Sequence, residues 1–187
     1  MAAIDVGGAA TDRGAGWGNG YTNIDATNPA DGTGVLTSIE IWFATGVPDN
    51  ADNVKVGTLS GSPNTYTSRD YESLGDNILV GGKRTFTGLN CSVVTGDFIG
   101  AYFTGVNIEG DLTGGGGLYQ STTQVDWFDA APHTYNLYAN RIASCYGIGA
   151  TSGWGNIAKV NGIMATSYAK VRDTAVASIA KRRGAAV

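Results

Sequence analysis

The chain has 187 residues, enough for one domain with an appendage, and only 15% of them are charged. Its 29 glycines are about twice the usual ~7% share, yet four prolines and no Gly-X-Y period exclude a collagen-like chain. The low charge argues against a solvated helix or a charge-rich disordered chain. One His and two Cys cannot build a Cys/His zinc site, and no run of about 18 apolar residues exists to span a membrane.

The first residues, MAAIDVGGAATDRG, carry neither a basic nor an apolar leader region. They read as no ordinary signal peptide, and synthesis in a cytoplasm is expected. Residues 1–34 are rich in Gly, Ala, Asn, Asp and Thr and read as loop, with one short strand at 21–25. GAGWGNG at 14–20 has no strand before it and no helix after it, so it is a loop and not a dinucleotide fingerprint.

Residues 35–43 alternate strongly. Val35, Thr37, Ile39, Ile41 and Phe43 form one face, expected to be core, with Leu36, Ser38, Glu40 and Trp42 on the other. GVPDNADN at 46–53 reads as a turn, followed by strands at 54–59 and 65–69. Further strands are expected at 83–89, 91–94, 98–103, 106–109, 118–121, 134–138 and 142–146. Residues 98–103 (FIGAYF) are apolar on both faces, which marks a central strand; Ile99, Ala101 and Phe103 join the expected core. The Gly114–Gly117 run reads as a hairpin tip. Short strands at ~8–12-residue intervals with no convincing helix predict an all-β, antiparallel β-sandwich or jelly-roll-like body over 1–155.

Residues 156–187 differ. Written in elevens they run IAKVNGIMATS, YAKVRDTAVAS and IAKRRGAAV, with Ala-Lys recurring at 158–159, 169–170 and 180–181. An eleven-residue period suits a right-handed coiled coil, but Asn161-Gly162 is a strong type I′ hairpin signal. Short hairpins or stacked strands are the favoured reading. Residues 157–187 carry a formal charge of +5 and the rest of the chain −9. Three short hairpins cannot hide Ile157, Val160, Ile163, Met164, Tyr168, Val171 and Ile179 alone. Together with Lys159, Lys170 and Lys181, these are the candidate assembly residues.

Other constellations are weaker. Asp49, Asn50, Asp52 and Asn53 offer oxygens to calcium, but turn chemistry explains the same residues and no metal is expected. Glu40, Asp97, Glu109 and Asp111 are carboxylates that a glycosidase would need in pairs, and nothing in the sequence pairs them. His133 lies in Ala-Ala-Pro-His, without a nucleophile elbow. Trp17, Trp42, Trp127 and Trp154 suit core or subunit interface better than a sugar-stacking platform. Cys91 and Cys145 read as buried thiols, with a disulfide as the alternative.

NPADGTGVLTSIEIWF (28–43), VKVGTLSGSPNTYTSRD (54–70), KRTFTGLNCSVVTGDFIGAYF (83–103) and WGNIAKVNG (154–162) resemble a group of small β-rich proteins. These are encoded by tailed bacteriophages and end in tandem IAKVNG-type repeats. The resemblance spans residues 21–187 and implies a virion-associated structural or adhesive role. The repeat departs from the pattern at Arg172-Asp173 and Arg182-Arg183. The expectation is a non-enzymatic structural protein of a phage particle, made in the host cytoplasm and needing no cofactor. It would serve as a head decoration, collar or tail-fibre component. Its partners would be itself, as a homo-oligomer with a trimer preferred by resemblance to phage fibres, and other virion proteins. A carbohydrate-binding adhesin contacting surface glycan is the alternative. An acidic body argues against nucleic acid, and no membrane partner is expected.

Overall fold

β4 (Gly34–Phe43) is the strand on which the first sheet is built, because both of its edges are paired. The computed structural model describes residues 2–151 and the strand residues 159–160 and 163–164. On one edge of β4 lies β14 (Cys145–Thr151), followed by β1 (Ala3–Gly7); on the other lies β8 (Gly82–Val93). At the Phe43 end, β10 (Ile108–Asp111) joins and carries β2 (Ala15–Trp17) and β13 (Ile142–Ala143). Every pairing is antiparallel.

The second sheet is built from β3 (Asn23–Asp25), β5 (Asn50–Ser62), β6 (Thr65–Gly75), β7 (Ile78–Leu79), β9 (Phe98–Thr104), β11 (Leu118–Ser121) and β12 (His133–Tyr138). It is antiparallel too. Its order is β6-β12-β11-β3-β9-β5-β7, and β6 also pairs with β5. Six strands therefore close into a ring, which leaves few open edges. The body is all-β, two antiparallel sheets consistent with a sandwich, as the strand spacing predicts.

Two cores result. The larger lies between the sheets and holds Ile4, Val6, Leu36, Ile39, Ile41, Phe43, Val56, Ile99, Ala101 and Phe103. The smaller collects Ile24, Leu59, Tyr66, Tyr119, Phe128 and Tyr135, with Phe98 and Tyr102 packed against it. All six ring strands contribute to it. β9 is apolar on both faces because each face meets a core: Ile99, Ala101 and Phe103 meet the first, Phe98 and Tyr102 the second.

Several sequence expectations need correction. Ile39, Ile41 and Phe43 are buried as expected, but Leu36 is also core and Thr37 is exposed. A bulge between Leu36 and Ser38 shifts the alternation, so the first half of β4 has the opposite facing. Residues 2–20 are not all loop but hold two strands. β1 pairs with β14 over five residues, and β2, inside GAGWGNG, pairs with β10. Gly114–Gly117 is not a hairpin tip; it carries the chain from β10 in one sheet to β11 in the other. There Gly115 N–H donates to Asn140 O and Gly117 N–H to Arg141 O, so the run is held as backbone against backbone.

The second core needs glycine. Gly57 and Gly100 are cross-strand partners on β5 and β9, and the Phe128 ring lies over them. A Cβ on Gly57 would sit 2.8 Å from Phe128 Cε1; one on Gly100 would crowd Leu59 and lie 2.9 Å from Asn23 O. Gly100→Ala is therefore expected to cost about 1–3 kcal/mol by overpacking. Ile41→Ala, at a fully buried position in the first core, should cost about 2–5 kcal/mol by leaving a cavity. Urea unfolding checks both, and changes within about 0.5 kcal/mol, the range of ordinary surface substitutions, would contradict the two-core packing.

Candidate functional site

Of the candidate assembly residues, Ile157, Tyr168, Val171, Ile179, Lys170 and Lys181 lie outside the described residues. So does Trp154. β15 (Lys159–Val160) and β16 (Ile163–Met164) form an antiparallel pair, Lys159 opposite Met164 and Val160 opposite Ile163. This pairing flanks Asn161-Gly162, where the sequence places a hairpin.

Within the body, the carboxylates weighed as a catalytic pair are committed to separate structural tasks. Glu40 faces Lys83 at 3.2 Å across β4 and β8. Asp97 is buried and takes both Nε and Nη2 of Arg69, the latter at 3.0 Å, while accepting the Val94 N–H at 2.8 Å. It thereby closes the Thr95-Gly96 turn and holds the Arg69 guanidinium above its usual range. Glu109 and Asp111 do meet around one residue, Arg13. Glu109 Oε2 accepts the Arg13 N–H, and Asp111 Oδ2 receives Arg13 Nη1, each at 2.6 Å. Arg13 Nε also donates to the buried Ser144 hydroxyl at 2.9 Å. Burial raises the Glu109 carboxyl, and the neighbouring Asp12 raises it further. This clasp pins residues 9–13 to β10, so the N-terminal segment is fastened by charge as well as by the sheet.

The turn residues weighed for calcium serve the backbone. Asp52 Oδ1 accepts the Asn77 N–H, and Asp76 Oδ1 accepts the Asn53 N–H, each at 2.7 Å. Asn53 and Asn77 both have positive φ, 51° and 59°, which Asn tolerates. The Asp52-Asn53 step, at the irregular start of β5, and the Asp76-Asn77 step, between β6 and β7, thus cap one another. Asp25 is buried, has no counter-ion among the described residues, and accepts N–H groups from Gly8, Thr27 and Ala143. Desolvation raises its pKa despite those bonds.

The aromatic residues are engaged as well. Arg141 lies over Trp17 at 4.2 Å and over Tyr138 at 4.9 Å, a double cation–π contact on a buried indole. Trp127 stacks on His133 at 4.5 Å with the rings 6° apart, and Asp129 holds the same imidazole at 2.8 Å. His133 opens β12 and has a packing role.

One end of the body gathers features that the sequence did not reveal. Two open depressions of about 240 and 250 Å³ meet at Thr45-Gly46, the first rimmed by Val47 and Val106, the second by Asp49, Leu79 and Arg84. Val47 is 95% exposed and Leu79 63% exposed, the two highest values among the large apolar side chains of the described residues. Residues 50–53, which the sequence reads as part of a turn, instead open β5, and the pairing of Asn50 and Ala51 with β7 brings these residues together.

No protein family, curated protein or solved structure matches this chain.

Cys91 and Cys145 are free and buried, as the thiol reading expects. Burial pushes the Cys91 thiol up to about 12 and also raises Cys145, whose neighbour Asp25 adds to the effect. Neither forms the reactive thiolate near neutral pH. A disulfide-exchange reagent at pH 8 should leave both unlabelled in the native protein and label two per chain in denaturant. Rapid labelling of the native protein would contradict the burial.

Proposed function

We propose that this chain is a non-enzymatic structural protein of a bacteriophage particle, a head decoration, collar or tail-fibre component that assembles through its C-terminal repeats. The observation that carries this reading is the division of charge and pattern along the chain. A −9 segment holding the two-core body is followed by a +5 segment of eleven-residue repeats rich in apolar residues. Opposite charges on two parts of one chain favour contacts between copies. The apolar repeat residues supply burial that a lone hairpin cannot satisfy. The virion setting rests on the resemblance of residues 21–187 to phage-encoded β-rich proteins with IAKVNG-type repeats. A homo-oligomer is the simplest assembly, with a trimer the preferred state. The adhesin reading has less support, because Trp17 and Trp127 already carry Arg141 and His133 against their rings.

Removing residues 157–187 is expected to leave a folded monomer. Light scattering of the full and truncated chains at low and high salt tests this. The full chain should be oligomeric and weaken only partly with salt, because screening beyond ~8 Å affects the charges and not the apolar burial. Identical masses for both chains would contradict assembly through the repeats.

A further inference from the structure

Val47 and Leu79, two open depressions and three carboxylates all lie at one end of the body. Exposed apolar residues that are contiguous and rimmed by polar ones mark interaction sites, whereas single ones do not. Three carboxylates, Asp49, Asp52 and Asp76, stand there against two cations, Arg84 and Lys83, the latter paired with Glu40 at 3.2 Å. Among the described residues, Asp49, Asp52 and Asp76 form no ion pair, whereas Arg84 is occupied by backbone, donating to Leu79 O at 2.6 Å and Val80 O at 3.1 Å.

We infer that this end, formed by residues 44–53 and 76–84, is the docking face for the cationic repeat segment, residues 157–183, of a neighbouring copy. The inference rests on the assembly reading and names the surface that receives the repeats. The match is one of chemistry. The face offers apolar knobs and hollows within an acidic rim. Each repeat places a lysine beside apolar residues: Lys159 next to Val160, Lys170 next to Val171, and Lys181 two residues after Ile179. The face is already shaped, because the reciprocal Asp52/Asn77 and Asp76/Asn53 bonds fix both of its segments. Little ordering would therefore oppose binding.

The test is a charge swap in the full chain, followed by sedimentation velocity. Asp49 and Thr45 are exposed, so Asp49→Lys with Thr45→Lys reverses the face while sparing the capping carboxylates. Lys159→Glu, Lys170→Glu and Lys181→Glu together take the repeat segment from +5 to −1. Each variant alone should assemble at least about tenfold more weakly than the unaltered chain. An equimolar mixture should assemble again, because each copy then meets an oppositely charged partner. Leu79→Ser should weaken assembly, while Leu112→Ser, an exposed leucine outside this face, should not. If the unaltered chain never assembles, the assembly reading itself fails. If it assembles, but the face variants match it or the mixture gains nothing, the repeats dock elsewhere and this inference is overturned.

Discussion

Ile99 reaches from the second sheet into the first where Gly147 offers it a gap. A Cβ on Gly147 would lie 2.9 Å from Val6, 3.0 Å from Leu36 and 3.1 Å from Ile99, so all three side chains would have to shift to admit one. The close approach of the sheets at this point sets the register of β1, β14 and β4 together, since Val6 and Leu36 pack on the same spot. The same device recurs on the far side of β9, where Gly57 and Gly100 admit the Phe128 ring. β9 is therefore the wall common to both cores. A sheet that must be apolar on two faces cannot be spared glycine where those faces are thick with Ile, Phe and Tyr. The unusual glycine content follows from this packing demand as much as from turns.

Much of the architecture was legible in the sequence because the period-two signal is strong where one face meets a core. Residues 39–43 and 98–103 display it, and their buried members are those the alternation names. The failures have physical causes. Leu36 and Thr37 exchanged faces because β4 carries one extra residue there opposite the Ile148-Gly149 step of β14, and no local composition announces a bulge. β1 and β14 were obscured by Gly and Ala: Gly147 and Gly149 look like turn residues, yet both sit in a paired strand where the space is crowded. The ring closure of the second sheet was invisible, because it depends on two pairings of β6, residues 65–66, with β12, residues 133–134.

The candidate site was less legible, for a different reason. The repeats declare themselves by period and charge, but the end of the body offered as their receptor is assembled from separate segments. Val47 and Leu79 are unremarkable as letters and become a surface only when β7 pairs with β5. The carboxylates show the converse. Asp52, Asp97 and Glu109 look like functional groups in the sequence, and the fold uses each of them, as it uses Asp76, to accept backbone N–H groups. Acidic residues in this body thus accept backbone N–H groups locally and, in the assembly proposed above, would also set a negative field against a cationic segment. That second task needs no catalytic geometry and tolerates the scattered placement observed.

A chain whose body is fixed by packing and whose repeats carry opposite charge should act in many identical copies. The most direct test is quantitative mass spectrometry of purified particles from an infected culture encoding this chain, with copy number measured against the major capsid protein. The account predicts a reproducible stoichiometry, in the dozens for a collar or fibre and in the hundreds for a head decoration. Particles that are complete and infectious without the chain, at less than one copy each, would contradict it.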